Sequence, residues 1–396
     1  MNILNLKTVT KCCGCGACLN SCPKGAISLN LQNGFFVASV NKQLCVECGA
    51  CVKNCYRDLN FGYLKFPETI YTLKNKNKKI LKKSSSGGVS YELMQKAIEL
   101  GYFVYAFSYD KKTKECILKK AKTCEECSMF FGSKYFQSNL SDPKIFEEIL
   151  SNNRNQKLAF FGTPCFIASM RRFLERNGFR DFLLVDLFCH GIPSGILWKK
   201  YAEKMEKKLG NYYDVEFRSK KFGWHYFTNA FDNGKHCYSS INDKFYELFF
   251  SGLFFNEPCY NCEVRGSFAY SDIRLGDAWG ATYDMDSEGV SLVVANSDKG
   301  CDLIKDILDK FDVLPSIEMK EIKKFQSAFE NRTNLKSMNT RIDYEKMSFD
   351  EIYNFYFSNL STKKKHKIFL HRVFNKLPFL VKQSTKRKLH KKEMSK

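Results

Sequence analysis

The chain has 396 residues, 44% of them hydrophobic, which is too long for one ordinary domain and apolar enough for a real core. Its formal charge of +21 raises nucleic acid, an anionic membrane surface or acidic proteins as partners. Residues 361–396 hold thirteen Lys or Arg against the single acid Glu393, which leaves about +9 for the rest and excludes a strongly basic nucleic-acid-binding body. No stretch approaches the ~18 apolar residues of a membrane-spanning helix. The opening MNILNLKTVTKC lacks the apolar core of a signal peptide. Abundant cysteine without such a signal reads as a reducing, cytoplasmic setting.

Nine of the eighteen cysteines fall between Cys12 and Cys55. Eight of them make two identical C-x2-C-x2-C-x3-C runs: Cys12, Cys15, Cys18, Cys22 and Cys45, Cys48, Cys51, Cys55. This is the bacterial ferredoxin spacing, in which the fourth cysteine of each run serves the other 4Fe-4S cube. Cys12, Cys15, Cys18 and Cys55 are therefore assigned to one cluster, and Cys22, Cys45, Cys48 and Cys51 to the other. A zinc site wants two C-x2-C knuckles and a longer loop, and disulfides want an oxidising compartment; neither fits. Cys13 is left over, a bystander beside Cys12. Between the runs, Ala26–Leu31 and Phe35–Val40 alternate around Asn33-Gly34, a hairpin signal. From Asn60 to Pro67 the chain turns aromatic and leaves the module.

Thr69–Lys74 reads as a strand and Val89–Leu100 as a helix. Between them lies Ser84-Ser85-Ser86-Gly87-Gly88. Such a loop opening a helix is either an ordinary serine N-cap or a cradle of backbone N–H groups for a phosphate or pyrophosphate. Strands follow at Tyr102–Tyr109 and Cys116–Ala121, then the pair Cys124 and Cys127, then a helix at Pro143–Leu150. Leu158–Phe161 is a buried strand ending in Gly162-Thr163-Pro164-Cys165, followed by helix Ile167–Glu175. Phe182–Phe188 is another, ending in Cys189-His190-Gly191, followed by helix Ile196–Lys208. This alternation predicts an α/β sheet with functional groups at the strand ends. Tyr213–Arg218, His225–Phe231 and His236–Ile241 read as strands, and Lys244–Phe250 as a helix. Cys259 and Cys262 form another C-x2-C pair. A strand runs into Asp272–Gly280, and Leu292–Ala295 with helix Asp302–Asp309 look like the last strand and helix of the sheet. From Ile317 the chain reads as helical.

With these pieces in order, the chain resembles the coenzyme F420 hydrogenase/dehydrogenase beta-subunit family, in the bacterial form with a fused N-terminal two-cluster ferredoxin domain. Ser84–Val89, Gly132–Ser138, Gly162–Cys165, Leu187–Pro193, Phe217–Trp224, Cys259–Cys262 and Asp272–Gly280 carry the resemblance. It implies an α+β chain: a dicluster ferredoxin domain over 1–62, a larger α/β domain binding FAD and iron–sulfur over 63–320, and a helical extension with a basic tail over 321–396. It implies that Ser84, Ser85, Ser86, Gly87 and Gly88 contact FAD, and that Cys165, Cys189, Cys259 and Cys262 hold a third 4Fe-4S cluster. Cys124 and Cys127 are rivals for that cluster. Cys116, Cys237 and Cys301 look structural. Ser219 stands where the resemblance leads one to expect an acid.

The mechanism so implied passes electrons from a redox partner, such as ferredoxin or a reductase, through the clusters to FAD. Hydride then moves to or from an organic acceptor, F420-like or other. Lys134, Arg218, Lys220 and Lys221 are candidate ligands for phosphate or an anionic substrate. His190 is the candidate catalytic acid, or a residue fixing a neighbour. The alternative is a non-catalytic iron–sulfur electron-transfer or docking protein. Relatives of the fused type are associated with surface-polysaccharide pathways, which makes a membrane-proximal task conceivable. In the tail, Ile368-Phe369-Leu370 and Val373-Phe374 interleave with lysines. Those apolar residues are expected to pack on the main domain; contact with an anionic membrane surface is the alternative.

Overall fold

The computed structural model describes residues 1–5, 11–57, 69–280 and 282–377. The aromatic exit at 60–67 and the tail beyond Leu377 lie outside the described residues. In the N-terminal module β1 (Ile27–Gln32) and β2 (Phe35–Val40) pair antiparallel. They turn at Asn33-Gly34, both left-handed as a two-residue hairpin loop requires. A short helix α1 (Ala50–Lys53) carries Cys51.

The main body opens with β3 (Thr69–Asn75), α2 (Lys78–Lys83) and α3 (Val89–Glu99). Next come β4 (Phe103–Asp110), β5 (Glu115–Ala121), α4 (Lys144–Ser151), β6 (Leu158–Phe161) and α5 (Pro164–Arg176). They are followed by β7 (Phe182–Leu187) and α6 (Gly195–Leu209). A separate three-stranded sheet comprises β8 (Asp214–Ser219), β9 (Thr228–Asp232) and β10 (His236–Tyr238). After α7 (Lys244–Ser251) come β11 (Ile273–Asp277), β12 (Ser291–Ala295), α8 (Asp298–Lys305) and β13 (Phe311–Leu314). The described chain closes with α9 (Met319–Phe325), α10 (Phe349–Ser358) and α11 (Thr362–Lys376).

The large sheet runs β13-β3-β12-β11-β7-β6-β4-β5. Its middle four strands, β11, β7, β6 and β4, are parallel, and antiparallel strands flank them. Leu158, Ala159, Phe160 and Phe161 of β6 are all buried, which suits a parallel strand covered on both faces. The ends of β6, β7 and β11 point the same way, so Gly162–Cys165, Phe188–His190 and Asp277–Trp279 emerge together. Arg274 faces Asp186 across the β11–β7 register, and the two form a fork-like buried ion pair with Nε to Oδ1 at 2.7 Å.

Several expectations change. The sheet does not end at β12: β13 adds an edge strand, too short at four residues, with Asp312 and Val313 exposed, to show a period in sequence. The helix expected at Asp302–Asp309 begins four residues earlier, at Asp298, because Ser297 caps it. Of the strand expected at His225–Phe231, the first turn is 3₁₀ helix (Trp224–Tyr226). The boundary at 320 falls inside α9. Past it, Phe349, Ile352 and Tyr353 of α10 pack into one core with Trp198 of α6 and Phe245 of α7. A capping box between Ser348 and Glu351 starts α10.

The ferredoxin-like module is built into the body. Leu29, Ala38 and Tyr56 share a core with Phe146, Phe166 and Phe173. Gln137 accepts from Phe36 N (2.8 Å) and donates to Phe36 O (3.0 Å) and Cys13 O (3.2 Å). Gly14 makes room for it, since a Cβ there would stand 2.6 Å from Gln137 Nε2. Ser194 Oγ donates to Gly34 O (2.6 Å), and Arg172 Nη1 to Cys55 O (3.0 Å).

Candidate functional site

Two groups of thiols sit in the module. Cys12, Cys15, Cys18 and Cys55 surround one small void, together with Cys13. Cys22, Cys45, Cys48 and Cys51 surround another. These are the two sets that the crossed spacing rule assigns, and their chemistry fits a 4Fe-4S cube in each. Among the described residues no three His, Cys, Asp or Glu side chains converge on a single ion; the thiols ring a void instead. Backbone amides point at sulfur, from Gly14 and Ala38 to Cys12 at 3.4 Å and from Ala26 to Cys22 at 3.3 Å. Such bonds tune a cluster's potential. Cys18 and Cys55 of the first set and Cys51 of the second are buried, and Cys48 of the second set is exposed, as no thiol of the first is. The first set is therefore internal and the second faces outward.

The internal set adjoins a third group of thiols. The Cys15 thiol bonds Ser169 Oγ (3.2 Å), and Ser169 Oγ donates to Cys165 O (3.0 Å). The Cys13 thiol hydrogen-bonds both Cys15 and Cys165, and this bond is the main cause that holds Cys15 down to about 6 and Cys165 below its usual range. Cys13, expected to be a bystander and not a ligand, lies between the internal set and Cys165. Cys165 stands in the first turn of α5, Cys189 after β7, and Cys259 and Cys262 after α7. Burial raises Cys189, to about 12, and Cys259, and the charges of the other three members act on Cys259. The four are therefore neighbours in space. Asn256 N to Ile192 O (2.8 Å) ties their two loops together. Cys124 and Cys127 bond the carbonyls of Gln95 and Thr123 instead, and the charges acting most on them are their own and those of nearby Glu residues. Cys116 is buried in the aromatic core and Cys301 beside Thr69. The Cys237 side chain lies outside the described residues.

Cys189 and His190 also line a cavity of about 370 Å³ at the ends of β6, β7 and β11. That is within the ~300–1,000 Å³ usual for small-molecule and cofactor sites. Ser84, Ser85, Ser86 and Gly88 form part of its wall with the first turn of α3. The serines do not cap α3. Ser84 Oγ closes α2 through Ile80 O, Ser86 Oγ bonds Val290 O, and Gly88 stands at the N-cap with no side-chain bond. The ordinary-cap reading is therefore replaced: the N-terminal amides of α3 face the cavity without a side-chain partner, a setting that suits an anion. Gly87 lies against β3, where a Cβ would come 2.1 Å from Leu73 O.

The candidate cations separate. Lys134 Nζ donates to three carbonyls, of Phe107, Phe130 and Phe131, and Lys220 Nζ to those of Leu81, Ser86 and Glu288. Burial lowers them to about 8 and about 7. Their three N–H donors are spent on the protein, so they brace the walls rather than reach a ligand. Lys221 lies over the Tyr238 ring, outside the cavity. Arg218 is different. It is 4% exposed and lines the cavity. Nη1 bonds Asp277 (2.7 Å) and Tyr135 OH (3.1 Å), while Nε and Nη2 have no partner among the described residues. A bulge in β8 gives Arg218 a φ of +55°, strained for a long side chain. Asp277, absent from the sequence reading as a site residue, is the carboxylate that meets Arg218; Ser219 is buried beside it.

His190 is held by a residue that the sequence did not single out. Arg332, 3% exposed, donates through Nη2 to His190 Nδ1 (3.0 Å) and through Nη1 to His190 O. An arginine always donates, so Nδ1 accepts and the proton sits on Nε2, which is buried without a partner among the described residues. Burial, then Arg332 and Arg265, push the imidazole down to about 3. With Nδ1 accepting from Arg332, His190 presents Nε2–H to the cavity as a hydrogen-bond donor. Gln326 and Ser327 complete the wall from beyond the expected domain boundary.

Residues 11–59 match the family described as 4Fe-4S dicluster domain, and residues 155–325 match the family described as the C terminus of the coenzyme F420 hydrogenase/dehydrogenase beta subunit. No curated protein matches the chain. A chain of the xenon-derivatised F420-reducing NiFe hydrogenase complex from Methanosarcina barkeri is similar over 72% of this chain and 93% of its own, at 19% identity and a TM-score of 0.48. Residues 155–325 are thus similar to the C terminus of the coenzyme F420 hydrogenase/dehydrogenase beta subunit, and they follow a stretch, residues 11–59, that matches a two-cluster 4Fe-4S domain.

Proposed function

We propose that this protein is an iron–sulfur flavoprotein oxidoreductase, with a third 4Fe-4S cluster on Cys165, Cys189, Cys259 and Cys262 and FAD in the cavity beside it. The observation that carries the reading is the shared wall: Cys189 belongs both to the thiol group and to the cavity lining. FAD bound there would supply exchange between single electrons and hydride, to or from an organic acceptor such as a deazaflavin. The chain's own residues do the rest. Exposed Cys48 marks the face on which a redox partner docks. Cys13 and Ser169 span the gap between the internal thiol set and Cys165. Phe146, Phe166 and Phe173 keep water from that junction. The α3 amides hold the pyrophosphate, and Arg218 Nε and Nη2 and His190 Nε2 orient polar edges of the bound rings. The reading places the protein in a reducing, cytoplasmic setting.

FAD titration followed by flavin fluorescence tests this. Arg218→Met should weaken FAD binding about tenfold or more, since a buried donor pair to an anion or carbonyl is worth ~1.5–3 kcal/mol. Wild-type protein that takes up no flavin would refute the reading.

A further inference from the structure

The last described helix, α11, is docked along one face only among the described residues. Ile368 packs into the aromatic core of α6, α7 and α10. Arg372 donates to Glu247 (2.8 Å) and to Tyr353 OH, and Asn375 donates to Asn242 Oδ1 (2.9 Å). Ile368, Arg372 and Asn375 fall at i, i+4 and i+7 and form one stripe. The opposite stripe is apolar and open to solvent: Phe369 is 62% exposed, Leu370 53%, Val373 46% and Leu377 37%. The expected packing of the tail on the main domain thus holds for Ile368 and in part for Phe374, and fails for Phe369, Leu370 and Val373. Lys363 and Lys367 border the stripe on one side, Lys365 and Lys376 on the other, and α11 contains no acid. Among the described residues no helix is long and apolar enough to cross a membrane.

We infer that α11 is a peripheral membrane anchor, whose Phe369–Leu377 stripe enters the interface of an anionic bilayer while the flanking lysines meet lipid headgroups. An amphipathic helix with outward Phe, Leu and Val and a lysine border on both sides has the composition of an interfacial segment. Its excess of positive charge is what attracts it to anionic lipid. The stripe is convex, formed on a single helix, and carries no hydrogen-bonding group. A planar anionic surface covers stripe and border at once, whereas a protein would need a groove with acidic walls on both sides. Charge complementarity continues beyond the helix, because residues 361–396 hold thirteen Lys or Arg against one acid. The Arg372–Glu247 pair and the Asn375 bond fix the helix with its apolar side outward, so little ordering remains on binding. Neither clusters nor flavin enter this inference.

Flotation of the full-length holoprotein tests it, using vesicles of equimolar phosphatidylcholine and phosphatidylglycerol against phosphatidylcholine alone. The wild type should float with the anionic vesicles, about tenfold less with the neutral ones, and less as salt is raised. The double variant Phe369→Asp/Leu370→Asp should lose about tenfold in bound fraction. Both side chains are exposed, so the fold and the iron–sulfur absorbance should be retained. Lys363→Glu/Lys367→Glu should lose a comparable amount. No flotation on anionic vesicles would overturn the inference. So would an Asp variant that floats like the wild type, since the contact would then be charge alone and not the helix face.

Discussion

Gln137 is the residue on which the docking of the two-cluster module should depend most. Its amide makes three hydrogen bonds across the junction, two to Phe36 and one to Cys13, from a side chain 7% exposed. Replacing Gln137 by Ala removes all three. At about 1 kcal/mol net per neutral bond the junction loses ~3 kcal/mol, roughly a hundredfold in its opening equilibrium. The loss should be local, because Ser194–Gly34, Arg172–Cys55 and the shared core remain. Hydrogen exchange on the holoprotein reads it out. Peptides covering 11–18 and 33–40 should lose up to about a hundredfold in protection, while those from β6 and β7 stay unchanged. Gly14→Ala attacks the same contact, because the new Cβ would meet Gln137 Nε2 and Phe36 O in a left-handed backbone at φ +75°. The two substitutions should therefore be strongly non-additive. Unchanged exchange in the module of a folded Gln137→Ala protein would refute the clamp; a uniform loss across the protein would refute its local character.

Two further outcomes follow from buried charge. Arg274→Met leaves Asp186 without its partner between β7 and β11 and should lower stability by ~3–5 kcal/mol; the denaturation midpoint against Arg274→Lys measures it, and a shift of less than a third of that would contradict the pairing. Arg332→Gln should release His190 from its Nε2–H form and weaken flavin binding about tenfold, as the loss of one aligned donor does. The ¹⁵N shifts of His190 report the tautomer directly, and an unchanged pattern would remove Arg332 from this role.

What the sequence disclosed depended on how local the signal was. The two thiol sets were readable because each run is a short spacing rule, and the structure groups Cys55 with Cys12 and Cys22 with Cys45 as that rule requires. The parallel strands were readable from short apolar runs bounded by glycine and proline, as at Leu158–Phe161. Cys165, Cys189, Cys259 and Cys262 were reached only through the ordered set of motifs, since they come from three different strand or helix ends. Arg332 and Gln326 gave no signal, and Gln137 stood in the Gly132–Ser138 motif without its role showing: each acts on a residue more than forty positions away, through contacts that only the fold creates. Lys134 and Lys220 looked like anion ligands because charge is visible in sequence and the carbonyls that consume it are not. The left-handed Arg218 sits in a β-bulge, which its sequence neighbours did not announce.

In the proposed function, the outward thiol set and the internal one lead through a third to a flavin. Anaerobic reconstitution with iron, sulfide and FAD, followed by metal, sulfide and flavin analysis of the purified protein, tests it most directly. Three cubes predict about twelve irons per chain with one FAD. Substituting Cys189 by Ala should remove about four of them and leave the rest. About eight irons with no flavin in the wild-type protein would contradict the account and leave a two-cluster electron carrier.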